Sequence, residues 1–257
     1  MAKKIGLALS GGAVRGFAHI GVIDALNEEG IYPDIIAGTS AGAVIAALYA
    51  DGHSAKEMLK IFAKVKLFNL FQVTWPKGGM LSTQKLETLL RKNISAKYFK
   101  DLNTPLYVNA VNLNTGESVF FNSGDIVQKV IASCALPFIY QPVKIGHHIY
   151  VDGGLLVNLP VDPLLKTCDY VIGVNLNPTS EKSEFSSVFS VAMRSYYLAI
   201  RNNVKVRRKD CDLFIDLSLL EDYSHLDSSK GMEMYDIGYN STKALLANKK
   251  TLKAILD

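Results

Sequence analysis

The sequence predicts an α/β protein, with a mostly parallel central sheet and helices on both faces. Three observations carry this. Short apolar runs of strand length alternate with longer runs of helical spacing, the pattern of a parallel sheet with covering helices. Two glycine-rich turns, "SGGAVRG" and "GTSAG", each follow an apolar run and open a helical one. The chain has 257 residues and is 49% hydrophobic, enough for a sizeable core, and no Pro/Gly/Ser-rich linker or charge block divides it. Residues 1–257 are therefore expected to form one domain.

The elements follow in order. "KIGLALS" reads as a first buried strand, and residues 15–30 have helical spacing that stops at Gly30. "DIIAGTS" is a second strand running into Ser40. "AGAVIAALYADG" is a helix closed by Gly52, and "SAKEMLKIFAKV" is another, with Ser54 as its N-cap. "LNTPLYVNAVNL" and "GESVFFN" read as strands, and "GDIVQKVIASCAL" as a helix ended by Pro137. "IYVDGGL" is a short strand leading into a glycine turn, and "YVIGVNLN" and "DLFIDLS" are further strands. Residues 187–209 and 231–256 are helical. In such sheets ligands bind beyond the carboxyl ends of the strands, where both glycine turns fall.

"GTSAG" matches the G-x-S-x-G nucleophile elbow, in which a tight strand-to-helix turn exposes a serine hydroxyl. Gly38 and Gly42 spare this turn the Cβ atoms that would crowd the neighbouring strand and helix, and the helix opening near Ala41 offers unpaired N–H groups to developing negative charge. The alternative is a helix N-cap serine in a glycine-rich bend. A nucleophilic serine needs a base. Only His225, of five histidines, falls late enough to complete the order Ser, Asp, His after Asp152, and its stretch "LEDYSHLDSSKG" reads as a polar surface loop. Asp152 in "YVDGGLLVNLP" is the other candidate, against a simple Asp-Gly turn. With an ordinary pKa of about 3.9 it would need desolvation, or concerted action with the serine, to serve as a base. "SGGAVRG" can supply consecutive amides to an oxyanion, or cradle a phosphate. It fails the P-loop pattern for want of Lys-Ser/Thr, and the dinucleotide fingerprint because Ala13 replaces the second glycine. Arg15 reads equally as a partner for an anionic group and as a structural hydrogen-bond donor.

Taken together, "SGGAVRGFAHIGVIDAL", "IIAGTSAGAVIAALYADG" and "YVDGGLLVNLPV", in this order and widely spaced, resemble the patatin-like phospholipase family in its short bacterial form. "IASCALPFIYQPV" resembles a family segment just before the aspartate loop. The resemblance covers roughly residues 4–169. It implies a three-layer α/β/α fold related to cytosolic phospholipase A2, a modified α/β-hydrolase, and hydrolysis of lipid acyl esters by a serine–aspartate dyad without histidine, metal or cofactor. Ser40 matches the nucleophile and Asp152 the base. Gly11, Gly12 and Ala13 match the oxyanion loop, and Arg15 its basic residue. Gly16, Gly38, Gly42, Gly153 and Gly154 complete the motifs. Ala13 departs from the family's usual third glycine. An acyltransferase using the same acyl-enzyme, and a non-catalytic lipid-binding or regulatory protein, are the competing readings.

Composition excludes little else. A net charge of +4 with 20% charged residues gives no sign of a nucleic-acid partner. Cys134, Cys168 and Cys211 show neither metal spacing nor a disulfide framework, which suits a reducing compartment. The N-terminus carries two lysines and then only a five-residue apolar run, too short for an export signal. A soluble cytoplasmic protein is expected, peripheral to the inner face of the membrane. Two segments bear on that contact. Residues 66–81, dense in aromatics, read as a lid or as core, and the basic helix at 187–209 reads as a membrane-facing or a solvated helix.

Overall fold

The computed structural model describes residues 3–64, 81–178, 187–224 and 227–256. His225 and all of the 66–81 segment but Leu81 lie outside them. Eight strands form one sheet among the described residues: β1 (Ile5–Leu9), β2 (Ile35–Thr39), β3 (Leu106–Asn112), β4 (Glu117–Phe121), β5 (Val143–Ile145), β6 (His148–Asp152), β7 (Tyr170–Asn175) and β8 (Leu213–Asp216). The order is β5-β6-β3-β2-β1-β7-β8, with β4 also on β3. The helices are α1 (Gly16–Glu28), α2 (Ala41–Ala50), α3 (Ala55–Lys64), α4 (Gln84–Asn93), α5 (Ile126–Ser133), α6 (Val188–Arg207), α7 (Gly231–Leu246) and α8 (Lys249–Leu256).

The period-two pattern of β1 explains the layers. Ile5, Leu7 and Leu9 point into a core with residues of α1, α2, α5 and α7. Ala8 points the other way, into a second core with Leu159, Val161 and, from α6, Tyr196, Ile200 and Val204. Burial on both faces is why β1, β2 and β7 read as continuous apolar runs. Glycines stop the helices as expected: Gly30 and Gly52 take φ of 73° and 100°. Ser54 and Glu57 close a reciprocal capping pair at the start of α3.

Three details differ from the sequence expectation. The helix expected over 231–256 breaks after Leu246, where Ala247 and Asn248 close α7 on carbonyls of its last turn. Helix α4 has a mean polarity that hid its single buried leucine, Leu90. Strand β5 is three residues long and pairs back on β6 as a hairpin, too short to show a period. The sheet is mixed: β1, β2, β3, β7 and β8 run parallel, and β4, β5 and β6 join antiparallel.

That antiparallel insertion matters for the site. Strand β4 occupies one edge of β3 along Val108–Asn112. A strand has only two edges, so β2 and β6 must share the other. Strand β2 runs parallel to β3 and ends with Thr39 opposite Asn109. Strand β6 runs against β3 and ends with Asp152 opposite Ala110. The two strands thus meet end to end along β3, delivering residues far apart in the chain to adjacent register positions. Among the described residues, no helix is long and apolar enough to cross a membrane.

Candidate active site

Ser40 follows β2 directly and caps α2 with φ 54° and ψ −122°, a backbone conformation unfavourable for any residue with a Cβ. Its surroundings hold it there. The Ser40 N–H donates to Ser133 Oγ at 2.8 Å, and the Ser40 carbonyl accepts from Ala43 and Val44. The turn tolerates no bulk: a Cβ on Gly38 would lie 2.5 Å from the Gly42 carbonyl oxygen, and one on Gly42 would run into the carbonyls of Leu9 and Ser10. The side chain does not cap the helix, so the N-cap reading fails on geometry.

The Ser40 hydroxyl faces Asp152, whose side chain is buried. Asp152 Oδ1 accepts from the Gly154 N–H at 2.7 Å. Burial is the dominant influence on this carboxyl and pushes its pKa up to about 6, against the opposing effect of Ser40 and the Gly154 N–H. Tyr196 adds to that opposing effect; its phenol faces Asp152, although its oxygen meets strict hydrogen-bond geometry with no described group. Gly153 packs against the Asn109 backbone, and a Cβ on Gly154 would approach Asp152 Oδ1 at 3.1 Å and the Tyr196 hydroxyl at 3.2 Å. Cys134 completes the immediate surroundings of Ser40, its thiol pushed well up by burial.

The glycine loop lies against the serine turn. A Cβ on Gly11 would sit 3.1 Å from Ser40 Cβ, and one on Gly16 would be 3.3 Å from Ala41 Cβ. The Gly11 N–H is already engaged by Asn158, through Oδ1 at 3.1 Å and the carbonyl at 3.4 Å. The Gly11 amide thus already has partners within the fold. The amides of Gly12 and Ala13 carry no hydrogen bond among the described residues. Ala13 has φ 50°, so the alanine stands where glycine would be relaxed. Ala13→Gly is expected to raise stability by up to about 1 kcal/mol, measured by urea unfolding.

Arg15 is buried and faces backbone. It donates to the carbonyls of Leu176 (3.0 Å), Glu221 (3.3 Å) and Tyr223 (2.7 Å and 3.1 Å). Burial lowers its pKa to about 10, still charged at neutral pH. Of the two readings of Arg15, the structural one holds. His19 is also buried, with Nε2 2.8 Å from the Ser10 carbonyl and its pKa lowered to about 4 by burial, so it is neutral and binds the loop to α1.

Sequence reading missed the asparagines that hold these loops together. Asn109 Nδ2 donates to the Val157 carbonyl at 2.5 Å and to Thr39 Oγ1. Asn177 Nδ2 donates to the Gly11 carbonyl at 2.5 Å. Asn203 accepts from Asn158 N and donates to the Gly154 carbonyl. A signal existed: Asn109, Asn158, Asn175 and Asn177 each interrupt an apolar run, and a buried amide group calls for hydrogen-bond partners, which each of these finds through at least one of its polar atoms. Ser133 and Tyr196 carried no comparable mark.

A serine on a strand-to-helix turn at the carboxyl end of a mostly parallel, two-sided sheet defines an α/β protein built on the hydrolase plan. The family model for patatin-like phospholipase matches residues 7–165, and the chain belongs to that family. Lysophospholipase NTE1 of Kluyveromyces lactis is 26% identical over 272 residues, covering 92% of this chain and 19% of that one. An NTE family protein of Mycobacterium bovis is 32% identical over 177 residues, covering 68% of this chain and 49% of that one. The chain thus spans about a fifth of the length of the fungal relatives. Among solved structures, VipD from Legionella pneumophila superposes with a TM-score of 0.64 at 16% identity, over 98% of this chain and 67% of that one. The type III effector ExoU gives 0.55 at 15% identity, over 97% and 54%. These two likenesses speak for the fold.

Proposed function

We propose that this protein is a serine acyl-ester hydrolase of lipids, of the phospholipase A or lysophospholipase type. The observation that carries the reading is the Ser40 hydroxyl facing a buried carboxylate on a turn next to backbone amides that no described group engages. The names of the fungal relatives favour the lysophospholipase end of this range. Ser40 Oγ attacks the ester carbonyl carbon while Asp152 accepts its proton. The amides of Gly12, Ala13 and Ala41 face the negative charge that develops on the carbonyl oxygen, reinforced by the N-terminus of α2. Asp152 returns the proton to the departing alcohol. Water then attacks the acyl-enzyme, giving a proton to Asp152, which passes it to Ser40 Oγ as the Oγ–acyl bond breaks and the fatty acid leaves. The Gly154 N–H holds the carboxylate throughout, with the Tyr196 phenol packed beside it. The test is labelling: a fluorophosphonate probe should modify Ser40 alone in the intact protein, and labelling elsewhere or nowhere overturns the assignment.

Contact with a membrane surface follows from the substrate. Its support is α6, which exposes Val188, Val191 and Leu198 as well as Arg201 and Lys205. Sedimentation with phosphatidylglycerol vesicles should carry the protein down at low salt and release it as salt rises. No binding at low salt removes this contact.

A further inference from the structure

Helix α6 meets the aspartate loop through one face. Tyr196, Ile200 and Asn203 fall at i, i+4 and i+7 of this helix. Asn203 ties that face down. Its Nδ2 donates to the Gly154 carbonyl at 3.0 Å, and its Oδ1 accepts from the Asn158 N–H at 2.9 Å. Ile200 joins a core with Leu159 and Val161, which follow the loop. Two turns back along the helix, Tyr196 is brought to Asp152. The place a Cβ would take on Gly154 lies 2.8 Å from Asn158 Oδ1, 3.1 Å from Asp152 Oδ1 and 3.2 Å from the Tyr196 hydroxyl. Three side-chain oxygens thus converge on a residue that has no side chain to part them.

Their hydrogen-bonding needs differ. Asp152 Oδ1 and Asn158 Oδ1 are acceptors, already served by the Gly154 and Gly11 N–H groups. The Tyr196 hydroxyl brings a proton. It is buried, and it meets strict hydrogen-bond geometry with no described group. A buried hydroxyl left unbonded is costly and rare in a native fold. Phenylalanine would fill the same space without that penalty, so packing alone does not account for the hydroxyl.

We propose that Tyr196 is a positioning residue for the base: its phenol donates to the ionised Asp152 carboxylate and steadies it toward Ser40. This goes beyond the hydrolase reading and, for its effect on turnover, rests on it. Hydrogen bonds of a reacting centre are often long or misaligned before substrate arrives and tighten afterwards. The donor favours the charged form alone, so it holds the Asp152 pKa, about 6, below where burial by itself would put it. The other groups facing this carboxyl bring no charge near neutrality. Ser40 and the Gly154 N–H are neutral donors. Burial keeps the Cys134 thiol protonated, and likewise the Tyr197 phenol, whose pKa is pushed up to about 12. Arg15 faces Tyr197 and spends its donors on the carbonyls of Leu176, Glu221 and Tyr223. Tyr196 itself is pushed well up by burial and by the Asp152 charge, so it remains a donor.

The pH profile of kcat/KM for p-nitrophenyl butyrate, compared between wild type and Tyr196→Phe, tests this. The variant keeps the ring and its packing. Its acid limb should lie above the wild-type value of about 6 by about one pH unit, the effect of one hydrogen bond to a charged group. The variant should accordingly be roughly tenfold slower than wild type at pH 5, and within about twofold of it at pH 8. Carboxyl carbon NMR titration of Asp152 in the same two proteins measures the move without turnover. A limb that stays in place, or a loss by the same factor at every pH, reduces Tyr196 to packing and overturns the proposal. An Asp152 resonance that titrates identically in both proteins does the same. If neither protein hydrolyses any ester, the hydrolase reading fails, and the NMR titration alone decides whether the phenol bonds the carboxylate.

Discussion

Ser40→Ala is expected to lower kcat for ester hydrolysis by roughly four to six orders of magnitude, the range for losing a nucleophile whose surrounding binding groups remain. The loss follows from atom placement. Ser40 Oγ is the hydroxyl that both contacts Asp152 and stands at the N-terminus of α2. Alanine keeps the backbone strain, since it has a Cβ at the same φ of 54°, so the turn itself neither relaxes nor collapses. What changes is the carboxylate. Asp152 loses the hydroxyl that faces it, and its pKa should move further above 6, because that hydroxyl favours the charged form against burial. The variant should therefore lose about 1–2 kcal/mol at pH 8, where the carboxylate is charged. It should match wild type below pH 4, where Asp152 is protonated in both. Thermal unfolding at the two pH values, beside turnover of a short-chain ester, makes both measurements on one preparation. Substantial turnover by the purified variant would remove Ser40 from the chemistry.

Much of this arrangement was legible in the sequence, because the groups that set it are local. Buried strands read as apolar runs, and the glycines at 30, 38, 42 and 52 mark places where chain direction reverses or backbones touch. Ser40 and Asp152 both announce themselves through flanking glycines. Their meeting was not legible from spacing or composition. It depends on β6 entering antiparallel and stopping at the register position next to the end of β2, and neither strand's own pattern encodes its partner. The resemblance supplied that pairing; the register explains it. Arg15 was undecided for a related reason. Its acceptors are carbonyls more than 150 residues away, and a carbonyl has no sequence signature. Likewise, the raised pKa of Asp152 comes from burial by elements distant in the chain, so the sequence could state the need for desolvation without showing that it occurs.

That desolvation leads to the second large effect. Asp152→Asn should abolish hydrolysis and also stabilise the protein at pH 8. An unburied aspartate, ionised above pH 4, would leave the acid limb of kcat/KM out of sight; with its pKa near 6, Asp152 should give a limb centred there, and one proton should account for it. For stability the sign runs the other way. The folded-state pKa lies above the unfolded value, so the fold favours the protonated carboxyl. That advantage is fully present below about pH 4 and is lost as pH rises through 6. Asparagine resembles the protonated carboxyl in shape and is neutral at every pH, and its Oδ1 can still accept from Gly154. The variant's gain should consequently be near zero below pH 4, grow between pH 4 and 6, and level off at roughly 3 kcal/mol, the equivalent of a two-unit shift. Urea unfolding from pH 4 to 8 measures it. A gain independent of pH would mean that Asp152 is not a strained anion, and an acid limb that stays below pH 5 would say the same of the working enzyme. The two results belong together, because the burial that makes Asp152 a usable base near neutrality is the same burial that weakens the fold.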